Sequence, residues 1–434
     1  MLASDSPSTS LHDPYAALRV KGFRLYMLAA MFLTVGGQMQ SVAVAWELYE
    51  RTHSALALGY VGLVQIAPVL LLALPAGHAA DRYSRKHLLM GSQLLMALAS
   101  AGLAVLSATR GAVPLIYGCL LLTGIAQSLS RPARWSFLPQ LVPGELLGNA
   151  VTWNTSAWQV ASVAGPALGG LFLALTHGAR QVYVFDFACS LAVIVLVGSI
   201  PTRPAVRGLE RATFRTLLAG FDFVRRTRLI LAALTLDLFA VLLGGATALL
   251  PIFARDVLQV GPTGLGCLRA APSIGAVVMG LTLAHRPPLR RAGPVLLGSV
   301  AGFGLATIVF GLSRDPYLSF VMLMLTGALD NISVVVRSTL VQSLTPDAMR
   351  GRVSAVNGLF IGTSNELGGF ESGLTAQRFG PVASVVGGGI GTILVVLAVA
   401  FHWPQIRRLR SLSEAARDHH AKVEEELTAG STAS

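Results

Sequence analysis

Twelve long apolar runs follow one another along the chain, and they restrict its fold more than any other feature. A helix needs about 20 mostly apolar residues to cross the hydrocarbon core of a bilayer. Every run reaches that length, so we predict an all-α polytopic membrane protein with twelve transmembrane helices. Their predicted limits are 23–48, 56–77, 87–109, 113–134, 149–175, 181–200, 229–253, 263–284, 293–312, 316–343, 353–376 and 381–402.

Basic residues are distributed unevenly between the two ends of these helices. If both termini and the loop after every second helix lie on one side, that side holds 25 of the 33 Lys and Arg residues. Each of the six loops on the other side holds one Arg. Basic loops stay in the cytoplasm, so we expect a multi-pass protein of a bacterial cytoplasmic (inner) membrane with both termini cytoplasmic. This topology explains the formal net charge of +12, and no nucleic-acid partner is predicted.

The second half of the chain repeats the first with an offset of 203 residues. Arg134 and Asn154 are separated by twenty residues, as are Arg337 and Asn357. Further matches are glycines, Gly165 with Gly368 and Gly170 with Gly373. Parallel repeats of this kind build transporters from two six-helix halves.

The repeat divides the chain into four predicted regions. Residues 1–200 form an N-terminal six-helix half, and residues 229–403 form a C-terminal one. Between them, the basic linker 201–228 has apolar residues at helical spacing, which predicts an amphipathic helix on the cytoplasmic face of the membrane. Residues 404–434 form a charged cytoplasmic tail.

Four stretches of the chain resemble signatures of one transporter superfamily. The stretch from Gly77 to Lys86 has the pattern G-x-x-x-D-R-x-x-R-K between two apolar runs. The fifth run has the pattern G-P-x-x-G-G, in which Pro bends a helix and paired glycines permit close packing; its key residues are Gly165, Pro166, Gly169 and Gly170. The segments 131–143 and 349–357 complete the set. Together they resemble the major facilitator superfamily, in its enterobactin-exporter-like or transmembrane secretion effector branch.

The resemblance implies a gate at the loop between the second and third helices. Asp81 would lie at the N-terminal end of the eleventh helix, near Val353, where the helix dipole attracts a carboxylate. Basic side chains would complete a network that ties the two halves together in the outward-open state. The predicted gating residues are Gly77, Asp81, Arg82, Arg85, Lys86, Arg350 and Arg352.

Polar residues inside the spans are candidates for substrate binding or proton coupling, because charges inside a membrane are costly. The candidates are Asp237, Asp330, Glu366, Arg337, Gln38, Gln127, Asn154 and Trp158. In the superfamily, spans one, four, seven and ten line a central cavity. The resemblance therefore places Gln38, Gln127, Asp237 and Asp330 on its wall. For each carboxylate, the alternative is a structural partner of an Arg or of a helix end.

Two positions depart from the pattern of the superfamily. Relatives often carry Glu where this chain has Gly369, and many proton antiporters carry an Arg in span four before a Gln-Gly pair that is absent here. If the Glu of relatives takes part in coupling, this protein works without it, and the missing Arg of span four argues against the common proton relay. No His lies in the middle of a span, so coupled protons would need a desolvated carboxylate.

The sequence predicts a secondary active exporter that works by alternating access. It would move a small amphipathic molecule (siderophore, drug or metabolite) out of the cell in exchange for protons, as a monomer without cofactor or metal. An importer or uncoupled facilitator is the alternative mechanism. A membrane enzyme is the rival class, and the chain lacks the His-Glu-x-x-His and Gly-x-Ser-x-Gly patterns of hydrolases. A receptor without transport is the third class, and it would not need a gate.

Overall fold

The computed structural model describes residues 13–201, 214–287, 291–346 and 349–409. The predictions for residues 1–12, for residues 202–213 of the linker and for residues 410–434 of the tail lie outside this part. The side chain of Asp81 also lies outside it, so its predicted gate contact is untested. The described residues contain helices and turns, and no strand.

Helices occupy all six predicted spans of the N-terminal half. They are α1 (Ala16–Arg19), α2 (Lys21–Thr52), α3 (Ala55–Leu71), α4 (Ala73–Arg82), α5 (Arg85–Thr109), α6 (Val113–Phe137), α7 (Leu147–Thr176) and α8 (Ala179–Gly198). The second predicted span is divided into α3 and α4 at Leu72, in the turn that follows Pro68. Pro weakens the helix that contains it because it removes a backbone donor.

Helices also occupy the linker and the six predicted spans of the C-terminal half. They are α9 (Phe214–Arg226), α10 (Arg228–Leu243), α11 (Leu250–Ile252), α12 (Gly261–Ala284), α13 (Ala292–Leu312), α14 (Pro316–Leu344), α15 (Arg350–Phe379), α16 (Pro381–His402) and α17 (Pro404–Arg408). The seventh predicted span is the exception to a continuous helix. After α10 it continues as 3-10 turns, α11 and a π-helical turn that ends at Val257.

A glycine pair accounts for the position of the break in the seventh span. Gly244 and Gly245 follow α10 directly, and a Cβ built on Gly245 would lie 2.7 Å from both the carbonyl oxygen of Gly368 and the hydroxyl of Ser372. The chain can therefore approach α15 this closely at Gly245 because glycine has no side chain.

Ten helical stretches of the described residues are long and apolar enough to cross a bilayer. The stretches at the second and eleventh predicted spans are not among them. At the second predicted span, α3 has only 17 residues because the helix breaks at Leu72. At the eleventh predicted span, α15 has 30 residues but carries Arg350, Arg352, Glu366 and Glu371. Neighbouring helices cover much of both, since α15 packs along α3 and α10.

The predicted charged loop over residues 77–86 is shorter than expected. Helix α4 extends through Gly77 to Arg82, so only Tyr83 and Ser84 connect it to α5. The loop is shorter than predicted because the residues Ala79 to Arg82 continue the helical hydrogen bonding, with Tyr83 N–H bonded to the Ala79 carbonyl.

The predicted linker helix is present as α9, and its apolar face contacts protein. Val224 is buried, and the ring of Phe221 stacks on that of Phe360 with centroids 6.4 Å apart. A Cβ on Gly220 would lie 2.8 Å from the carbonyl oxygen of Arg352. The helix is therefore docked on α15, where the sequence had suggested only a membrane surface.

The membrane helices form two groups that are joined at one end. Helices α2 to α8 pack mainly on one another, as do α10 to α16, and the extensive contacts between the groups are α7 with α12 and α3 with α15. One buried apolar cluster combines both groups, through Val42, Leu48 and Leu58 with Leu250, Phe253 and Leu265. Other clusters are confined to one group, through Phe23, Phe137 and Val197 in the first and Leu236, Leu340 and Val353 in the second. We call the joined end the closed end and the opposite end, which carries Arg82, Arg85 and Lys86, the basic end.

Candidate functional site

A polar cavity of about 370 Å³ lies between the closed end and the basic end. Its wall is formed by α2, α3, α5, α6 and α7, with Glu366 contributed by α15. Five of the lining residues carry amide side chains, namely Gln38, Gln40, Gln65, Gln93 and Gln127. The volume is within the range typical of small-molecule sites.

Four of the predicted site residues line this cavity. Gln38 of α2 and Gln127 of α6 lie on its wall, as expected for spans one and four. Trp158 of α7 presents an indole that is 56% exposed, and Glu366 faces the cavity from the other helix group. The site thus combines an aromatic surface, neutral amides and one carboxylate.

Glu366 is positioned by close backbone contact between α15 and α3. A Cβ on Gly62 would lie 2.8 Å from the Glu366 carbonyl oxygen and 2.9 Å from its Oε2. The guanidinium groups of Arg131 and Arg269 both interact electrostatically with this carboxylate. Two cations from opposite helix groups therefore act on the one acidic group of the cavity wall.

Polar contacts between the helix groups close the cavity at one end. Arg269 of α12 donates to the Ser41 hydroxyl at 2.8 Å and to the Ser41 carbonyl at 3.2 Å. Farther out, Tyr49 donates to Asp256. The Ser54 hydroxyl donates to Gln377 Oε1 at 3.1 Å.

Two glycine crossings bring the helix groups into backbone contact at the closed end. A Cβ on Gly170 of α7 would lie 2.7 Å from the Cα of Gly266 of α12. A Cβ on Gly373 of α15 would lie 2.8 Å from the Cα of Gly59 of α3. Because Gly170 and Gly373 are matched by the internal repeat, the two crossings are equivalent positions of the two halves.

The other glycines of the fifth span pack within the first helix group. A Cβ on Gly165 would lie 2.6 Å from the Gln38 Cβ, and one on Gly169 would lie 2.9 Å from the Met39 Cα. The predicted close packing is thus present against α2. Helix α7 continues without interruption through Pro166.

Asp237 and Arg337 lie apart from this cavity and form an ion pair. Both side chains are buried, with exposures of 9% and 2%. The expectation that Asp237 faces the central cavity is corrected, because the relevant face of α10 is turned towards α14. The contact matches the structural alternative, an Arg partner for the carboxylate.

Asp330 lies near this pair in a second, much smaller space inside the C-terminal helix group. The space is lined by α10, α13 and α14, including Phe303 and Ser333. Asp330 has no hydrogen bond or ion pair with the described residues. Its expected place on the central cavity is corrected too, because α14 turns this face towards α10 and α13. Asn154 is half-buried and does not line the central cavity.

Two of the predicted gating residues, Arg85 and Lys86, donate hydrogen bonds to backbone carbonyls of their own helix group. Lys86 Nζ donates to the carbonyls of Gly198 and Ile200 at 2.6 and 2.8 Å, which places a cation at the C-terminal end of α8. Arg85 donates to the Ser136 carbonyl at 3.3 Å. A Cβ on Gly77 would meet open space, so no described residue packs closely against this glycine in this conformation.

Arg82 is exposed, and Arg352 contacts the sulfur of Met349 at 3.5 Å. Arg350 begins α15 at the same end of the molecule. These basic residues therefore surround the basic end, and their joint role in a gate stays a prediction.

Sequence reasoning missed three sets of residues near the cavity. Arg131 and Arg134 of α6 line its wall, and Arg131 donates to Gln127 at 3.3 Å. The i, i+4 spacing of Gln127 and Arg131 was the available signal. Asp186 of α8 is buried against Ser100, at 2.5 Å.

The third set is a charged cluster near the closed end. Glu47 accepts hydrogen bonds from Arg51 and, at 2.7 Å, from Tyr183. Arg51 also donates to the Gly111 carbonyl at 2.9 Å, so the cluster anchors the end of α5. In the described residues, no group of three or more His, Cys, Asp and Glu residues could hold a metal ion.

Comparison with known proteins gives a consistent picture. The transmembrane secretion effector family matches residues 12–432. The enterobactin exporter EntS of Shigella boydii serotype 18 is 28% identical over 397 residues, which cover 89% of this chain and 93% of that protein. Among solved structures, the nucleoside transporter NupG superposes with a TM-score of 0.70 at 15% identity, over 88% of this chain and 98% of that one. A bacterial homologue of the human lysosomal transporter Spinster, solved in an inward-facing and unoccupied conformation, gives 0.69 at 14% identity, over 89% and 97%.

Proposed function

Because the chain belongs to the transmembrane secretion effector family of major facilitator transporters, we propose that it is a secondary active exporter of a small amphipathic molecule. The family and the structural neighbours are transporters, and the chain is a multi-pass membrane protein rather than an enzyme. Siderophores are the first cargo class to test, because the relative EntS exports enterobactin.

The central cavity is the observation that carries this proposal. It is closed by protein contacts at one end and lined by amides, an exposed indole and one carboxylate. Amides bind hydroxyl and carbonyl groups, while the indole offers a flat apolar surface. Such a wall suits a molecule that is both polar and aromatic or apolar.

The basic end is proposed to face the cytoplasm. Basic loops remain on that side of membrane proteins, and Arg82, Arg85 and Lys86 lie there. The conformation described is then closed to the outside, ready to receive cargo from within. An alternating-access transporter must next separate the closed end and join the two halves at the basic end.

Glu366 is the carboxylate that we propose couples cargo to protons. It is the acidic residue of the cavity wall, and Arg131 and Arg269 act on it from opposite halves. Cargo and protons could therefore compete for the same charge. Asp330 and Asp237 remain candidates of lower priority, since neither lines the cavity. An importer or facilitator is the alternative mechanism.

The test is transport by the purified protein in proteoliposomes, with enterobactin as the first probe and a panel of lipophilic drugs beside it. With an imposed pH gradient, we expect movement of cargo against the flow of protons. A protonophore should abolish the uphill component. Glu366→Gln should lose uphill transport but keep exchange of cargo down its own gradient.

Asn365→Ala serves as the matched control, because Asn365 is exposed and is the neighbour of Glu366 in the same helix turn. It should transport like the parent. Uphill transport by Glu366→Gln would refute the coupling role. Cargo movement whose rate depends neither on the imposed pH gradient nor on the protonophore would establish the facilitator mechanism instead.

A further inference from the structure

A carboxylate that plays no part in the cavity wall is buried inside the first helix group. Asp186 of α8 is 3% exposed and lies between α2 and α5. Its Oδ2 accepts a hydrogen bond from the Ser100 hydroxyl at 2.5 Å. The Ser100 oxygen accepts in turn from Gln40 Nε2 at 3.0 Å. Gln40 lines the central cavity, so two hydrogen bonds connect the cavity wall with Asp186.

Ser100 can form a hydrogen bond with Asp186 whether or not the Asp186 carboxyl group carries a proton. Its hydroxyl lies 2.5 Å from Asp186 and 3.0 Å from the Met96 carbonyl, but it has one proton to donate. When Asp186 is ionised, Ser100 donates to it. When Asp186 carries a proton, Asp186 can donate to the Ser100 oxygen, and Ser100 can turn its own proton to Met96. Gln40 continues to donate in both states, so neither state leaves a partner of Ser100 unpaired.

No basic residue of the described chain neutralises Asp186. From α8 itself, the Cys189 thiol faces it, and Tyr183 lies one turn away, bonded to Glu47. From α2, the neighbours are Gly36 and Gln40, and both are uncharged. Gly36 lies so close that a Cβ at this position would collide with Asp186. Helix α5 presents Ser100, and α7 contains no charged residue. A structural ion pair like that of Asp237 is thus absent at Asp186.

A second polar side chain next to this chain of hydrogen bonds lacks a partner. Gln93 of α5 is 1% exposed, and neither its Oε1 nor its Nε2 is hydrogen-bonded within the described structure. It lines the cavity and lies two turns from Ser100 on the same helix face. Buried polar groups without partners are rare and mark places where water or an ion can bind. The route from the cavity to Ser100 therefore offers a further polar group.

We propose that Asp186 is a proton-binding site of the transporter, loaded from the central cavity through the Ser100 hydroxyl, which Gln40 holds in place. This inference rests on the proposed proton coupling and adds a site within the N-terminal half, distinct from Glu366 of the C-terminal half. The Ser100 oxygen takes up a proton that enters from the cavity while the Ser100 hydroxyl proton passes to the Asp186 carboxylate, and release reverses these steps. Gln40 keeps both of its N–H bonds and holds Ser100 in place, so only O–H bonds are formed and broken.

The experiment is pH-difference infrared spectroscopy of the purified protein, which detects protonated carboxyl groups without requiring transport. We expect the parent to show a carboxyl band that appears and disappears with pH and is missing in Asp186→Asn. Ser100→Ala should move this band, because the carboxyl loses its hydrogen-bond partner. The matched control is Ser92→Ala, since Ser92 is also buried in α5 but bonds to its own helix, at the Leu89 carbonyl.

A band unchanged in Asp186→Asn and in Ser100→Ala would overturn the proposal. If Asp186→Asn does not yield folded protein, Ser100→Ala against Ser92→Ala decides the question, because both keep the carboxyl. The result is independent of the proposed function, because a band that vanishes with Asp186 can coexist with failure to export. Conversely, proton-driven export by Asp186→Asn with the stoichiometry of the parent would show that this proton is not coupled.

Discussion

Buried charged residues depend on their partners more than other residues do, because a charge without a partner is costly to bury. The pair of Asp237 and Arg337 joins α10 to α14 inside the C-terminal helix group, where both side chains are almost inaccessible. Desolvating two charges is expensive, and their attraction offsets that cost only while both are present. Removing one partner leaves the other charge buried and unpaired, which typically costs about 3–5 kcal/mol in soluble proteins.

We therefore predict that Asp237→Asn lowers the thermal stability of the purified protein, because Arg337 remains charged and loses its partner. The double variant Asp237→Leu with Arg337→Met should regain most of that loss, since it removes both charges. Thermal unfolding in detergent measures the effect. Asp330→Asn is the control, because Asp330 lies in the same helix group without an ion-pair partner. Equal instability of the single and double variants would contradict a structural pair.

The orientation of a helix decided which site residues could be predicted from the sequence. Gln38 and Gln127 were correctly placed on the cavity because α2 and α6 present those faces between the two groups. Asp237 and Asp330 were wrongly predicted to line the cavity. A helix face that packs inside one group and a face that lines the cavity carry similar mixtures of polar and apolar residues, so the sequence does not distinguish them. Burial of Asp186 could not be predicted either, since its partner Ser100 is 86 residues away.

At the scale of helices, the closed end depends on two backbone crossings. Gly170 meets Gly266 where α7 crosses α12, and Gly373 meets Gly59 where α15 crosses α3. Within a membrane, helix association relies on such close packing, because apolar side chains gain little by leaving lipid. Twelve spans could be predicted from length and hydropathy, whereas the break after α10 depends on the close contact of Gly245 with α15.

We predict that Gly170→Ala opens the closed end, because its Cβ would collide with the backbone of Gly266. Overpacking commonly costs about 1–3 kcal/mol, and about 1.4 kcal/mol corresponds to a tenfold change in population. A cysteine placed at Val44, on the cavity wall, should then react about tenfold faster with an impermeant thiol reagent added outside the cell. The three native cysteines, at positions 119, 189 and 267, are replaced by serine beforehand.

The control for this experiment is Gly118→Ala in α6, where a Cβ would meet open space. It should leave the labelling rate unchanged. Gly373→Ala should act like Gly170→Ala, because the repeat places the two glycines at equivalent crossings. Unchanged labelling in both variants would mean that the crossings do not hold the closed end.

At the scale of the whole molecule, the arrangement of contacts is asymmetric along the membrane axis. One apolar cluster and several polar bonds join the two helix groups at the closed end, while the clusters nearer the basic end are each confined to one group. Transport by alternating access requires this asymmetry to invert in each cycle. Contacts between the groups must therefore break, whereas contacts within a group can persist.

A covalent link between the groups at the closed end should stop that cycle. Ser54 and Gln377 are hydrogen-bonded across the groups at 3.1 Å, so cysteines at both positions can be joined by a short, reducible bifunctional thiol reagent. We predict that cross-linking abolishes net transport in proportion to the linked fraction and that reduction restores it. Thr375 and Ser384 provide the matched pair, because their hydroxyls are 2.7 Å apart at the same end but within one group. Linking them should leave transport intact. Full transport by protein linked between positions 54 and 377 would mean that the closed end does not separate. Inhibition by both links would point to deformation within the C-terminal group rather than to movement between the groups.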